Sequence, residues 1–181
     1  MSTRCYVGTS NPANSHFMHA RFVLFDGHPA AVVPTLARIW AGHAHHDTRA
    51  LTAAVLAHDW EYLDDAIAAD TTSAFAGQLP VAGVGMTLAT TTGGVIDAPE
   101  PVSVFPLCQA AHLDAAWIYL IDPETATVTV HTDDGEPVSA YRLETCATPH
   151  PRSDIGAGAA GRHKRGGSPR CPLPSPTGAP R

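Results

Sequence analysis

The sequence predicts a single α+β domain, a mainly antiparallel sheet with two central helices packed on one face, over residues 1–146, followed by a disordered tail over 147–181. Three observations predict it. The run RFVLFDGHPAAVVPTLARIW, from Arg21 to Trp40, reads as a strand, a turn and a helix in immediate succession. The run WIYLIDPETATVTVHTDDG reads as a hairpin. Beyond Cys146 the large apolar residues stop, with Ile155 and Leu173 almost the only ones left, so this segment cannot bury enough surface to offset its ordering entropy.

Residues Thr3 to Gly8 predict a first strand, and the turn cluster Ser10 to Asn14 leads back into a second strand over Phe17 to Phe25, giving an amino-terminal hairpin. Phe22, Val23, Leu24 and Phe25 are apolar on both faces, as in a strand covered on each side. Asp26-Gly27 stops that strand, with the glycine expected at positive φ, and His28-Pro29 prolongs the irregular segment. Pro34 is read as the first helical residue, ahead of Leu36, Ile39 and Trp40, with Gly42 closing the helix. Asp47 stands at the N-cap position of a second helix, TRALTAAVLAH, whose buried stripe is Leu51, Val55 and Leu56.

In the segment from Trp60 to Ile67 apolar residues alternate with acids, and both a short helix and an extended crossing remain open. An irregular connection follows to Gly83, then a strand over Gly85 to Thr90, a loop from Val95, a short strand over Val102 to Phe105 and a helical turn over Leu107 to Asp114. Trp117, Tyr119 and Ile121 face one way and Ile118 and Leu120 the other. Val128 and Val130 then alternate with Thr127, Thr129 and His131, which gives the returning strand one buried and one wetter face. Val138 to Leu143 supplies a last strand.

The chain has 181 residues and a formal net charge of −6, which divides unevenly. Up to Cys146 there are five basic and sixteen acidic residues; beyond it there are six basic residues against Asp154 alone. An acidic body repels phosphate backbones, so direct nucleic-acid binding by the folded part is disfavoured, and only the basic tail has the charge to touch nucleic acid or an acidic partner. Four scattered cysteines, without a CxxC pair, argue against a disulfide framework and a zinc ribbon. No run approaches the roughly 18 apolar residues of a membrane span, so a cytoplasmic protein with no membrane contact is expected.

The strand followed by Asp26-Gly27-His28-Pro29, a small-residue bend and the Pro-Thr-Leu helix start resembles a group of uncharacterised small proteins of actinobacteria and tailed phages. Their amino termini read Met-x-Thr-Arg before a short strand, matched here by Met1, Thr3, Arg4 and the segment Cys5 to Gly8. The likeness covers about the first third of the chain, with a looser echo at Trp117 to Ile121. His28 stands where those proteins carry tyrosine. The resemblance implies a fold and a phage or mobile-element setting, and it carries no catalytic residue.

Two constellations bear on chemistry. Asp26 and His28 flank the bend and can pair as base and orienter, although turn chemistry alone explains Asp26-Gly27. A histidine where the resembling proteins place an aromatic suits a ligand platform better than proton transfer, and Asp26, Gly27, His28 and Trp40 form the candidate ligand-binding set. The densest group of metal-ligand types is His43, His45, His46 and Asp47, reading HAHHD, which resembles the first part of the metallo-β-lactamase zinc motif. The resemblance then breaks, because Thr48 stands where that family needs histidine. The competing reading is a solvated link in which Asp47 caps the next helix. Cys5 and Cys108, with apolar flanks such as Phe105 to Leu107, read as small buried hydrophobes. The function expected is a non-enzymatic binding or accessory protein of phage or mobile-element type, without a cofactor, acting by protein contact or small-ligand capture. The alternative is a zinc-dependent hydrolase built on His43 to Asp47.

Overall fold

The computed structural model describes residues 3–11, 13–73, 77–88, 91–92, 95–96 and 103–147. The predicted tail, apart from its first residue Ala147, lies outside these residues. Strands β1 (Cys5–Asn11) and β2 (Asn14–Val23) form the amino-terminal hairpin, with Cys5 opposite Val23 and Val7 opposite Arg21. The chain then builds α1 (Pro29–Gly42), α2 (Thr48–Val55), β3 (Trp60–Leu63), β4 (Pro80–Val81), β5 (Gly85–Thr87), β6 (Thr91–Thr92), β7 (Val95–Ile96) and β8 (Ser103–Pro106). A 3-10 helix (Leu107–His112) leads to β9 (Trp117–Asp122), β10 (Thr127–Thr132), β11 (Pro137–Arg142) and the single turn α3 (Leu143–Cys146).

The main sheet runs β11-β10-β9-β1-β2-β3-β5-β4, with β8 also on β2; β6 and β7 pair separately. It is mixed, not purely antiparallel: six of its eight pairings are antiparallel and two are parallel. β1 pairs with β9 in parallel, and β2 with β3 in parallel, through Val23 and Trp60. Both parallel contacts follow crossings through helical segments, which antiparallel hairpin turns cannot supply.

Register explains the two faces. Cys5 and Val7 of β1, Val23 of β2, Tyr119 and Ile121 of β9, and Val128 and Val130 of β10 share one face and pack with Leu36, Ile39 and Trp40 of α1 and Leu51 and Val55 of α2. The opposite face is also covered in the middle of the sheet, where Met18, Ile118 and Leu120 pack with Ala110 of the 3-10 helix. Tyr6 makes edge contacts there with Phe22 and Phe105, at ring-centroid distances of 5.5 and 5.3 Å. Of the run Phe22 to Phe25, Val23 is buried on the helix side and Phe22 half-buried against Tyr6, whereas Phe25 lies beyond the end of β2 and is exposed. On β10 the wetter face has one exception, since His131 is buried and bonds the Gly135 carbonyl through Nδ1 at 3.0 Å.

The first helix begins at Pro29, not Pro34. Pro29 takes the first helical position, where its missing N–H has no intrahelical duty, and Pro34 lies inside the helix. An interior proline removes one hydrogen bond to the residue four back, here Ala30, close to the helix start. The adjoining Val32, Val33, Leu36, Ala37 and Ile39 are buried, and their packing offsets that loss. Asp47 caps α2 as read from the sequence, its Oδ1 accepting from the Arg49 N–H at 2.8 Å and the Ala50 N–H at 3.3 Å.

The other end of α2 is satisfied by side chains. Trp60 Nε1 donates to the Val55 carbonyl at 2.8 Å, and Arg21 Nε donates to the Leu56 carbonyl at 2.9 Å, a cation at the negative end of a helix. Arg21 is buried on the helix-covered face and its Nη1 lies 3.9 Å from Asp59 Oδ1, which itself accepts the Phe22 N–H at 2.9 Å. Burial and then the Arg21 charge hold the His58 imidazole below its usual pKa range, with Asp59 opposing them. A ring kept neutral in the fold takes its proton more readily in the unfolded chain. His58 therefore contributes a loss of stability as pH falls below the ordinary imidazole range, about 6.5. Titration of the His58 ring followed by NMR is expected to give a midpoint below that of a free imidazole. Arg21→Met is expected to move it upward; an unmoved midpoint would remove Arg21 as a cause.

Candidate functional site

The candidate residues fall into two places. Asp26, Gly27 and His28 gather at the amino-terminal end of α1, against the first residues of the chain. Trp40 lies eleven residues along α1, about 17 Å away at the helical rise. It is buried, its Nε1 donates to Thr48 Oγ1 at 3.1 Å, and its ring meets that of His46 edge-on at 4.5 Å. Trp40 thus belongs to the His43 to Asp47 turn.

The turn itself is tightly organised. His45 and His46 both have positive φ, 51° and 65°, and the His46 N–H donates to the Trp40 carbonyl at 2.8 Å. His43 Nδ1 bonds the Ala82 carbonyl at 3.1 Å, and the Asp47 carboxylate is occupied by the first turn of α2. The side chains are directed to different partners. Among the described residues no three His, Cys, Asp or Glu side chains converge as a metal ion requires. The cysteines divide: Cys5 is buried, and burial pushes its thiol up far above the usual range, whereas Cys108 is exposed, contrary to its apolar flank.

At the bend the backbone departs from the sequence reading in one respect. The positive φ, 59°, belongs to Asp26, while Gly27 is required for a different reason. The Gly27 N–H donates to the Thr3 carbonyl at 2.8 Å, and its own carbonyl accepts from the buried Tyr119 hydroxyl at 2.7 Å. A Cβ at Gly27 would sit 2.7 Å from the Thr3 oxygen and 2.9 Å from the Arg4 carbonyl carbon. The loop thus presses against the start of β1 with room for hydrogen alone. Burial raises the Tyr119 hydroxyl well above its usual range, so it remains a donor.

His28 Nε2 lies 2.6 Å from Thr3 Oγ1, in an exposed hydrogen bond whose direction depends on the ring tautomer. Beside this pair, at the amino-terminal ends of the parallel strands β1 and β9, is an open concavity of about 390 Å³ lined by Thr3, Arg4, Leu113 to Ala116 and Asp133. Its wall is fixed by the Ala116 N–H, which donates to the Arg4 carbonyl at 2.9 Å, and by the ion pair of Arg4 with Asp114. The hollow offers one guanidinium, two carboxylates and the Thr3 hydroxyl, with imidazole at its margin. That inventory can hold a small polar ligand. As a hydrolytic centre it is poorly equipped, because the imidazole is bonded to a hydroxyl in the open and not to a buried carboxylate that would orient it.

Sequence reasoning reached the bend and missed the hollow. Arg4 and Asp114 are 110 residues apart, and only the parallel pairing of β1 with β9 brings them together. The available signal was that Arg4 is one of five basic residues in a strongly acidic body. Comparison of the chain with protein-family models, with curated proteins and with solved structures finds no match.

Proposed function

We propose that the protein is a non-enzymatic binding protein that captures a small polar ligand bearing a cationic or hydrogen-bond-donating group in the hollow at the amino-terminal ends of β1 and β9. The observation that carries this reading is the lining of that hollow, where Asp114 and Asp133 outnumber the single Arg4 guanidinium. Two carboxylates beside one cation leave net acceptor character, which complements an amine or guanidine. An accessory role of phage or mobile-element type, implied by the amino-terminal likeness, belongs to the same reading.

The test is a backbone-amide NMR titration with small amines, guanidines, amino acids and, as the opposite chemistry, dicarboxylates. Shifts induced by a cationic member are expected at Thr3, Arg4, Asp114, Ala116 and Asp133, and Asp133→Asn is expected to weaken that binding about tenfold, as loss of one charge-assisted hydrogen bond does. Shifts that cluster elsewhere, or a preference for dicarboxylates, would overturn the assignment.

A further inference from the structure

His28 stands at the N-cap position of α1, yet its side chain makes no capping bond there. The ring is turned to the chain start instead, with Nε2 at 2.6 Å from the Thr3 hydroxyl. Thr3 lines the hollow, and its main chain is held by the same loop, since the Gly27 N–H donates to the Thr3 carbonyl at 2.8 Å. Residue 3 is thus fixed twice, through its backbone by Gly27 and through its side chain by His28. A hydroxyl has one proton and two lone pairs, so what it shares with the imidazole decides what it can offer to a ligand. A neutral ring with its proton on Nδ1 accepts the Thr3 proton at Nε2 and leaves the Thr3 oxygen as an acceptor only. A cationic ring donates from Nε2, takes a lone pair and turns the hydroxyl proton outward.

We propose that His28 is a positioning residue that sets the specificity of the hollow through Thr3: a neutral imidazole lets the Thr3 oxygen accept from an amine or guanidine, and a cationic imidazole makes Thr3 a donor and selects against such ligands. The inference rests on the capture of a cationic ligand proposed above. Charge acts in the same direction as the hydrogen bond. The hollow has two carboxylates, Asp114 and Asp133, and one guanidinium, Arg4, which is ion-paired with Asp114. A second cation at the margin offsets the remaining carboxylate and removes the net acceptor character. The charged groups around the ring are Asp26 on its own loop, Arg4 at the start of β1, Asp114 ahead of β9 and Asp133 after β10. Helix α1 adds none near its start, because it has no acidic residue in its first turn and its one charged residue, Arg38, is bonded to Asp65 and Thr35. No carboxylate pairs with His28 among the described residues, so the Thr3 hydroxyl is the group that registers the state of the ring. The bond is exposed, which lets the ring exchange protons with solvent.

The test is the affinity of the full chain for methylguanidinium and for ethylammonium, read by amide NMR titration at constant ionic strength, at pH about 8 and about 5.5, on either side of the ordinary imidazole range. Affinity is expected to fall about tenfold at the lower pH, from one weakened charge-assisted acceptor and one like charge together. His28→Gln keeps a donor and an acceptor for Thr3 without a titrating ring. Its two affinities are expected to agree within about twofold, which also measures what the carboxylates contribute over this range. Thr3→Ser keeps the hydroxyl and is expected to keep the ratio, whereas Thr3→Val is expected to reduce it to about threefold, the effect of charge alone. Equal binding by the natural chain at both pH values overturns the role of His28 and leaves the capture site standing. A His28→Gln chain that retains the full ratio does the same. A Thr3→Val chain with the full ratio overturns positioning through Thr3, because the ring would then act by charge directly. Neither cation shifting the hollow residues at either pH overturns the capture reading itself, and the role of His28 with it.

Discussion

Gly27→Val is expected to destabilise the protein by about 3 kcal/mol, the upper part of the range for overpacking a close contact. The first atom of any side chain would meet the Thr3 carbonyl at 2.7 Å and Cys5 Cβ at 3.0 Å, and the former belongs to the backbone, which cannot rotate aside. Moving the loop outward would break the Gly27 N–H bond to Thr3 and the Tyr119 bond to the Gly27 carbonyl together. Tyr119→Phe isolates the second of these and is expected to cost about 1 to 2 kcal/mol, since it strips the donor from a buried carbonyl. Asp26 separates conformation from contact. Its left-handed backbone suits asparagine and glycine, so Asp26→Asn and Asp26→Gly are expected to melt close to the natural chain, whereas Asp26→Val is expected to lose about 1 to 2 kcal/mol. Urea denaturation of the five variants checks the ranking. If Gly27→Val were as stable as Asp26→Asn, the close approach to β1 would not be a constraint, and the bend could not be what holds Thr3 beside His28.

Elements whose signal is local were legible in the sequence. The amino-terminal hairpin, the β9 to β10 hairpin and the Asp47 cap depend on neighbours within a few residues, and alternation or a capping residue announces each one. Pro34 misled for a physical reason. Proline is usually a boundary, and sequence alone does not show that the residues flanking it are buried deeply enough to hold it inside a helix. The parallel pairings were not legible, because no turn residue marks the meeting of Cys5 with Trp117 or of Val23 with Trp60. The hollow inherits that invisibility, since each of its walls comes from a different chain segment. Asp133 and Asp134 follow β10 in a tight turn; the Asp134 carboxyl is held below the usual range by the Thr132 hydroxyl, while Asp133 lines the hollow.

The largest loss expected from any single substitution is at Trp60, in the segment that the sequence left open between helix and strand. Trp60 is fully buried and joins three parts of the fold. It pairs with Val23 of β2 and Thr87 of β5, and it ties the end of α2 through its indole N–H. It also fills the space beside Gly85, where an added Cβ would come within 3.2 Å of the indole ring. Trp60→Ala is therefore expected to cost about 3 to 5 kcal/mol, from lost burial plus the cavity left behind. That is a large part of the roughly 5 to 15 kcal/mol that holds a domain together. Trp60→Phe keeps most of the apolar surface and gives up the bond to Val55, so about 1 to 2 kcal/mol is expected. Hydrogen exchange locates the damage. The Leu24 and Phe25 N–H groups donate to the Trp60 and Glu61 carbonyls at 3.0 and 2.9 Å, and their protection should fall in Trp60→Ala before that of the β9 to β10 hairpin. Uniform loss across both regions would mean that the sheet unfolds as one cooperative unit and that β3 is no weaker a join than the hairpins. A change below about 1 kcal/mol would mean that the indole is not what couples α2 to the sheet.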